Sequence, residues 1–512
     1  MKKINAILLA LVMATSLFAE VKVPALFGDN MVFQQQKPIR IWGTAKPNSE
    51  VKILFNFKYT TTKADNNGCW KTELPAEKAS FKNYALTIFE DDIPNVELKN
   101  ILVGEVWIAG GQSNMEWRVA RADNLELAKK SVLKQKGKYR YFAHSNYTRK
   151  PQSEFSKNAR WIVVDEENVP NLSSVATTFA QELISDLNVP VGIVYMARGG
   201  TTMGAWTSEE YILARSELRK KFIEVKKALD AYDKTAYDKR IAQAKKIQQK
   251  AHADKKAGKK VSWAELNAVA RVSPITPFSS TQTSTLWYNG MFSPMRDFSV
   301  RGVVWYQGEC DAERPRLPFY KASWFAMTDC WRSQLGDKSL PFVFVQLPSH
   351  ESQWGDWAKG RVNQFELSKE DKYAYMATSI DLGEEHEIHP KDKTAVAQRL
   401  EKVALKYVYG KKHLNADAPE VKSVSYKNKS AIIKVETFGR GLIVKGQMRG
   451  FEVFVDGKWQ IASAELNGDC IVVKSLDGKK IYGVRYLWKS WARPDVCLFN
   501  KDGLPLSTFE IK

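Results

Sequence analysis

The apolar run Ile101-Leu102-Val103-Gly104-Glu105-Val106-Trp107-Ile108-Ala109 stops at Gly110-Gly111 and opens into Gln112-Ser113-Asn114-Met115-Glu116-Trp117. A run rich in β-branched and aromatic residues that ends at paired glycines predicts a buried strand entering a tight turn, because glycine adopts backbone angles that other residues resist. Ser113 falls at the exit of that strand. A serine held there, with its own N–H and those of the next residues turned toward one point, has the layout of a nucleophile beside an oxyanion hole. A polar turn or a helix N-cap would use a serine equally well, so the rest of the chain must decide.

From 101 to about 415, strand and helix patterns alternate, which predicts a three-layer α/β domain with a mainly parallel sheet. Helices are expected over 125–136, 173–187 and 394–409. Strands are expected over 189–195, 300–306, 340–347 and 373–378. The strand at 189–195 leads to Ala197-Arg198-Gly199-Gly200-Thr201-Thr202, and that at 300–306 to Gln307-Gly308-Glu309-Cys310-Asp311. Ligands bind along the carboxyl ends of strands in such sheets. Ser113, Gly199, Gly200, Gln307 and the loop after 378 are all delivered to that edge.

The flanks read differently. Residues 20–100 and 416–512 show short period-two alternation broken by turn residues such as Asn66-Asn67-Gly68 and Asp456-Gly457, which predicts an N-terminal and a C-terminal β-sandwich. Residues 1–19 have the charged start, apolar middle and small-residue end of a secretory signal with cleavage after Ala19. A periplasmic or secreted protein with no membrane-spanning segment after cleavage is therefore expected. Five cysteines without a C-x-x-C pair argue against a zinc site. Cys470 and Cys497 are the expected partners if a disulfide forms.

The formal charge of +20 raises the question of nucleic acid. Residues 215–260 alone hold 16 Lys and Arg against 6 Asp and Glu, about half the excess. The segment is not regularly interleaved with stacking aromatics. A helical, basic, solvated insertion over about 215–272 is expected rather than a nucleic-acid surface.

A nucleophilic serine needs a base, and there are six histidines. His252 lies in the basic insertion and His413 in a Lys-rich link, while His144 has no evident strand end beside it. His386 and His389 sit in Asp381-Leu382-Gly383-Glu384-Glu385-His386-Glu387-Ile388-His389-Pro390, after a strand, where Pro390 restricts the backbone. A metal held by the two histidines is disfavoured because no third ligand is evident.

These residues carry a resemblance. Gly111-Gln112-Ser113-Asn114-Met115-Glu116-Trp117, Gly199-Gly200-Thr201 with Ala205-Trp206-Thr207-Ser208, Trp287-Tyr288-Asn289-Gly290-Met291, Trp305-Tyr306-Gln307-Gly308-Glu309, and Asp381-Leu382-Gly383 leading to Ile388-His389-Pro390 resemble, in order, the blocks of the sialate O-acetylesterase family of SGNH hydrolases. The resemblance implies hydrolysis of O-acetyl esters on an acetylated glycan, with no metal or cofactor. It makes Ser113 the nucleophile and His389 the general base. The Ser113 N–H, a Gly199 or Gly200 N–H and the Gln307 amide would line the oxyanion hole. Many superfamily members carry an aspartate three residues before the histidine, where this chain has His386, so Glu387, Asp381 or a backbone carbonyl is left to orient His389. Trp117, Trp206 and Tyr306 are candidates for stacking on a sugar, although aromatics beside glycines also serve as core. Glu309 and Asp311 are expected to hold loops. Sialic acid esters are the first substrate expectation, with acetylated xylan or another hemicellulose, or an inactive glycan-binding protein, as alternatives. Oligomeric state is left open.

Overall fold

The computed structural model describes residues 21–512; the expected signal over 1–19 lies outside them. One strand, Ile93–Gly111, belongs to two parts of the molecule at once. Its first half pairs antiparallel with Ser80–Glu90, and Val32–Gln34 runs parallel to its middle. Its second half is the centre of a seven-strand array in the order Ala374–Ala377, Phe342–Val345, Gly302–Tyr306, Ile93–Gly111, Val191–Ala197, Tyr139–Ala143, Arg160–Val163. Every neighbouring pair is parallel except the last, so the sheet is mixed.

The boundary expected near residue 100 therefore falls inside a strand. Asn100 takes a left-handed φ of 55°, and the pairing with Ser80–Glu90 slips between Ile101 and Leu98. A bulge of this kind bends and twists a strand without ending it, so the polar residues around Asn100 redirect the chain into the second sheet. Glu105, fully buried, ties the parts together through Arg301 at 2.7 and 3.0 Å and through Gln34 and Gln35.

Side chains alternate across the central strand. Val106 and Ile108 join one core with the N-terminal strands and helix Tyr320–Gln334, whereas Trp107 and Ala109 join the other, beneath helices Ser174–Leu187 and Thr394–Tyr407. Burial on both faces explains the unbroken apolar sequence. Helices Ser216–Asp230 and Lys234–Lys256 fill most of the basic segment. They bury only Phe222, Ala244 and Ala251, as the thin apolar pattern leads one to expect.

The C-terminal region departs from the expected sandwich. Seven antiparallel strands run in the order Glu420–Lys427, Ser430–Glu436, Cys470–Ser475, Lys458–Asn467, Phe451–Val455, Gly483–Tyr486, Phe509–Ile511. The Tyr426 hydroxyl on the first donates to the Ile511 carbonyl on the last at 3.0 Å. The sheet thus curls into a near-barrel, which leaves fewer exposed edges than an open sandwich. Cys470 and Cys497 do not pair: all five cysteines are free, and the buried Cys497 lies against the Tyr486 hydroxyl. Among the described residues, no helix is long and apolar enough to cross a membrane.

Candidate active site

The turn that carries Ser113 is set by backbone. Gly111 has φ 139°, and a Cβ there would lie 2.1 Å from the Tyr306 carbonyl oxygen, so only glycine lets the two strand ends approach. The Gln112 N–H donates to that same carbonyl at 3.0 Å. Helix Ser113–Glu116 follows at once, with Ser113 partly exposed at its first position. The next strand end hooks onto the turn: the Arg198 N–H donates to the Gly111 carbonyl at 3.1 Å, and the Thr201 hydroxyl lies 3.3 Å from it.

His389 reaches this corner from the loop after Ala374–Ala377. Its ring stacks on Trp117, with centroids 4.9 Å apart and planes at 13°. Nδ1 lies 3.1 Å from Glu387 Oε1, which also accepts the His389 backbone N–H at 2.9 Å. Burial lowers the His389 pKa, Glu387 opposes that shift and Lys393 adds to it. Ile388, one residue before, packs on Ala312, Leu347 and Trp357, and its carbonyl accepts from Asn114 Nδ2 at 3.0 Å. The residue after Ser113 therefore grips the residue before His389.

Asp381 does not reach the histidine. Its carboxylate is held bidentate by Arg399, at 2.7 Å on each oxygen, so its role is to anchor the entry of the loop. His386 is 79% exposed and faces Glu351 and Glu385 rather than His389's partners. These three exposed residues form the one grouping of metal-ligand atoms among those described, and it does not include His389.

The expected oxyanion donors fare unequally. The Gly199 N–H is taken by Glu116 Oε2 at 2.5 Å, with Arg198 beside it at 3.4 Å. Gln307 gives both amide hydrogens away, to the Thr201 carbonyl at 3.1 Å and to Asp311 Oδ2 at 2.5 Å. Turning that amide over would set its oxygen against the Asp311 carboxylate, which fixes the orientation. Gln307 thus has no N–H to spare and instead holds the Gly199-Gly200 turn. Asp311 also accepts the Met203 N–H at 3.0 Å, and burial pushes its carboxyl up to about 6. Among the described residues, the N–H groups of Ser113 and Gly200 carry no hydrogen bond.

Two aromatic candidates are corrected. Trp206 is 0% exposed, its indole N–H bonded to Thr201 and its carbonyl to Trp331; Tyr306 is 1% exposed. Neither can offer a face to a sugar, because both close the sheet's own core. Trp117 is partly exposed, but one face covers His389. His144 is corrected as well: it directly follows strand Tyr139–Ala143, yet it is buried between Phe142 and Phe155, away from solvent, and its pKa falls to about 3.

Sequence reasoning passed over Asn114 and Lys393. Asn114 is wholly buried, and besides Ile388 it donates to Glu309 Oε1 at 2.6 Å while its Oδ1 accepts from the buried Lys393 Nζ at 2.6 Å. Burial pushes Lys393 down to about 7 and raises Glu309. Asn114 sits inside the recognised block, which was a usable signal. Lys393 is one of three residues in Lys391-Asp392-Lys393 with nothing in the local pattern to mark it. The insertion also reaches the site's flank: Leu218, Lys221 and Phe222 line a cavity of about 110 Å³ whose other wall includes Thr202 and Asp311.

Residues 103–259 and 272–406 match the model of the family described as carbohydrate esterase, sialic acid-specific acetylesterase. Sialate O-acetylesterase of Mus musculus is 24% identical, over 91% of this chain and 89% of that protein; the Homo sapiens protein is 22% identical, over 91% and 87%. The crystal structure of a carbohydrate acetylesterase from Xanthomonas citri aligns with a TM-score of 0.79 at 28% identity, covering 96% of this chain and 99% of that one. The chain belongs to the carbohydrate esterase family of sialic acid-specific acetylesterases.

Proposed function

We propose that this chain is a secreted or periplasmic O-acetylesterase of the SGNH type that removes acetyl groups from sialic acids through a Ser113 acyl-enzyme. The observation that carries the reading is the Glu387–His389 contact, packed against Trp117 of the nucleophile turn. With Nδ1 engaged by a carboxylate, Nε2 is the nitrogen left to serve Ser113, the relationship that a serine triad requires.

The chemistry follows in order. His389 takes the Ser113 proton as Oγ attacks the acetyl carbonyl, and the oxyanion is met by the Ser113 and Gly200 N–H groups. His389⁺ then protonates the departing sugar hydroxyl, and Glu387 stabilises the imidazolium while it exists. Water, deprotonated by His389, cleaves the acetyl-enzyme to acetate. No step calls for a metal.

The test is acetate release from an O-acetylated sialoglycan and from acetylated xylan. Ser113→Ala and His389→Ala should each lower turnover by about 10⁴–10⁶ with little loss of thermal stability, and EDTA should change nothing. Retained activity in Ser113→Ala overturns the mechanism. A preference for acetylated xylan over the sialoglycan would select xylan or another hemicellulose as the substrate instead.

A further inference from the structure

We propose that Lys393, Asn114 and Glu309 form a buried brace that positions His389 against Ser113, with the Lys393 ammonium as its working charge. The inference rests on the assignment of Ser113 and His389 as nucleophile and base.

Asn114 is bonded on three sides. Its Oδ1 accepts from Lys393 Nζ at 2.6 Å, and its Nδ2 donates to Glu309 Oε1 at 2.6 Å and to the Ile388 carbonyl at 3.0 Å. That carbonyl belongs to the peptide unit joining Ile388 to His389. One amide therefore links the residue after the nucleophile to the peptide that carries the base. Lys393 itself closes a second route: its Nζ lies 5.8 Å from the centre of the Trp117 ring, and that ring stacks on His389.

The arrangement is more expensive than packing requires. Lys393 is 1% exposed and Glu309 5%, and charged groups in such surroundings are costly to hold. Among the described residues, no ion pair joins the two directly, and Glu309 Oε2 has no partner. Both act instead on one amide, with the ammonium at its oxygen and the carboxylate at its N–H. That order strengthens each bond and fixes the amide plane. Apolar residues of similar volume would stabilise the fold as well or better, so a charge here answers to the site.

The charge has a defined target. Glu309, Glu384, Asp392 and Glu387 favour the Lys393 ammonium, whereas Lys393 and His350 oppose a proton on His389 and Glu387 favours it. A cation in that position disfavours the imidazolium and keeps His389 in the neutral form that accepts the serine proton. Lys393, Asn114 and Glu309 are positioning residues, since none is placed to touch substrate.

The experiment measures kcat, KM and the pH dependence of kcat/KM on p-nitrophenyl acetate for Lys393→Met, Lys393→Gln, Lys393→Arg and Asn114→Ala, with Ser113→Ala alongside. Lys393→Met should lower kcat by about a hundredfold, leave KM unchanged and move the acid limb to higher pH. Lys393→Gln keeps a donor for Asn114 and is the variant to use if methionine prevents folding; it should show the same displacement of the limb with a smaller loss of kcat. Lys393→Arg should hold the limb at the wild-type position. Asn114→Ala should lower kcat alone. An acid limb that stays in place in folded Lys393→Met or Lys393→Gln overturns the proposal, whatever happens to kcat. Activity surviving in Ser113→Ala would instead bring down the underlying assignment, so the two failures are distinguishable.

Discussion

The Ser113 turn and the His389 loop meet at one corner but are held by different means. Around Ser113 the backbone does the work. Gly111 is pressed against Tyr306, and main-chain bonds from Gln112 and Arg198 lock two neighbouring strand ends to the turn. From 378 to 393 there is no helix or strand. That loop is fastened by side chains: Arg399 on Asp381, Arg493 on the Gly383 carbonyl at 2.7 Å, and Asn114 on the Ile388 carbonyl. Between those anchors, Glu385, His386 and Glu387 stand exposed. A sheet can place one side chain of the site by its own geometry, whereas a residue on an irregular loop must be brought to it by specific contacts. Damage to the backbone of the turn should therefore cost the fold, and damage to the exposed stretch between the loop's anchors should cost chemistry.

The largest effect expected is that of Gly111→Ala. A Cβ 2.1 Å from a carbonyl oxygen, at φ 139°, leaves the central strand no way to keep its register with Gly302–Tyr306. We expect a loss of about 4 kcal/mol or more, read as collapse of soluble yield or of the thermal transition. A well-folded, active variant would show that the turn is less dependent on backbone than described.

Within the loop, the two carboxylates should separate. Glu387→Gln should lower kcat by about 10²–10³ at nearly unchanged stability. The loss stays below the about 10⁴ of a buried triad carboxylate, because the Glu387 side chain is 49% exposed and partly screened. Asp381→Asn should do the reverse. It removes a bidentate partner from Arg399, with both side chains about 15% exposed, and should cost about 1.5–3 kcal/mol of stability with kcat reduced far less. Kinetics and thermal melts on the two variants decide it; an Asp381→Asn variant that melts normally but is inactive would reverse the assignment.

Much of this contrast could be read in the sequence, and the division is physical. The place of Ser113 at a strand's exit was legible because an apolar run ending in two glycines has few structural meanings, and the place of His389 beside it because proline and a preceding strand restrict where a histidine can go. Which carboxylate stands against His389 was not, since spacing along an irregular loop does not fix how its side chains turn. In the sequence Gln307, Trp206 and Tyr306 look like site residues because they follow or border strand ends, yet whether a side chain there faces ligand or core depends on neighbours far away in the chain, such as Asp311 and Trp331. The strand through Asn100 was divided in two because polar residues at a bulge look like a linker. Closure of the C-terminal strands by Tyr426 is a contact between the first and last strands of the sheet, which no local pattern encodes.

The pH dependence sharpens the comparison more gently. Burial lowers the His389 pKa, so the neutral base persists below the ordinary imidazole value of about 6.5. The acid limb of kcat/KM should then fall below that value. The sign for stability is opposite: the native state binds its proton less readily than the unfolded chain, so this group withdraws stability as pH falls through the ordinary value. A limb at or above the ordinary value would mean that the Glu387 contact outweighs burial, and that the loop is more exposed in solution.

The smallest effect belongs to His386, and it is informative because of where the residue stands. It stands three residues before His389, so a reading by spacing alone would give it a decisive part. Its side chain is instead 79% exposed, with Nδ1 3.4 Å from Glu351 and no bond to His389. A contact at that distance between exposed groups contributes little, and surface substitutions of this kind usually stay within about 0.5 kcal/mol. His386→Ala should therefore leave kcat/KM within about twofold of wild type, since 0.5 kcal/mol is about a factor of two, and should leave the melting curve in place. A loss comparable to that of Glu387→Gln would mean that position, rather than contact, determines what orients His389, and that the loop tip folds inward when substrate binds.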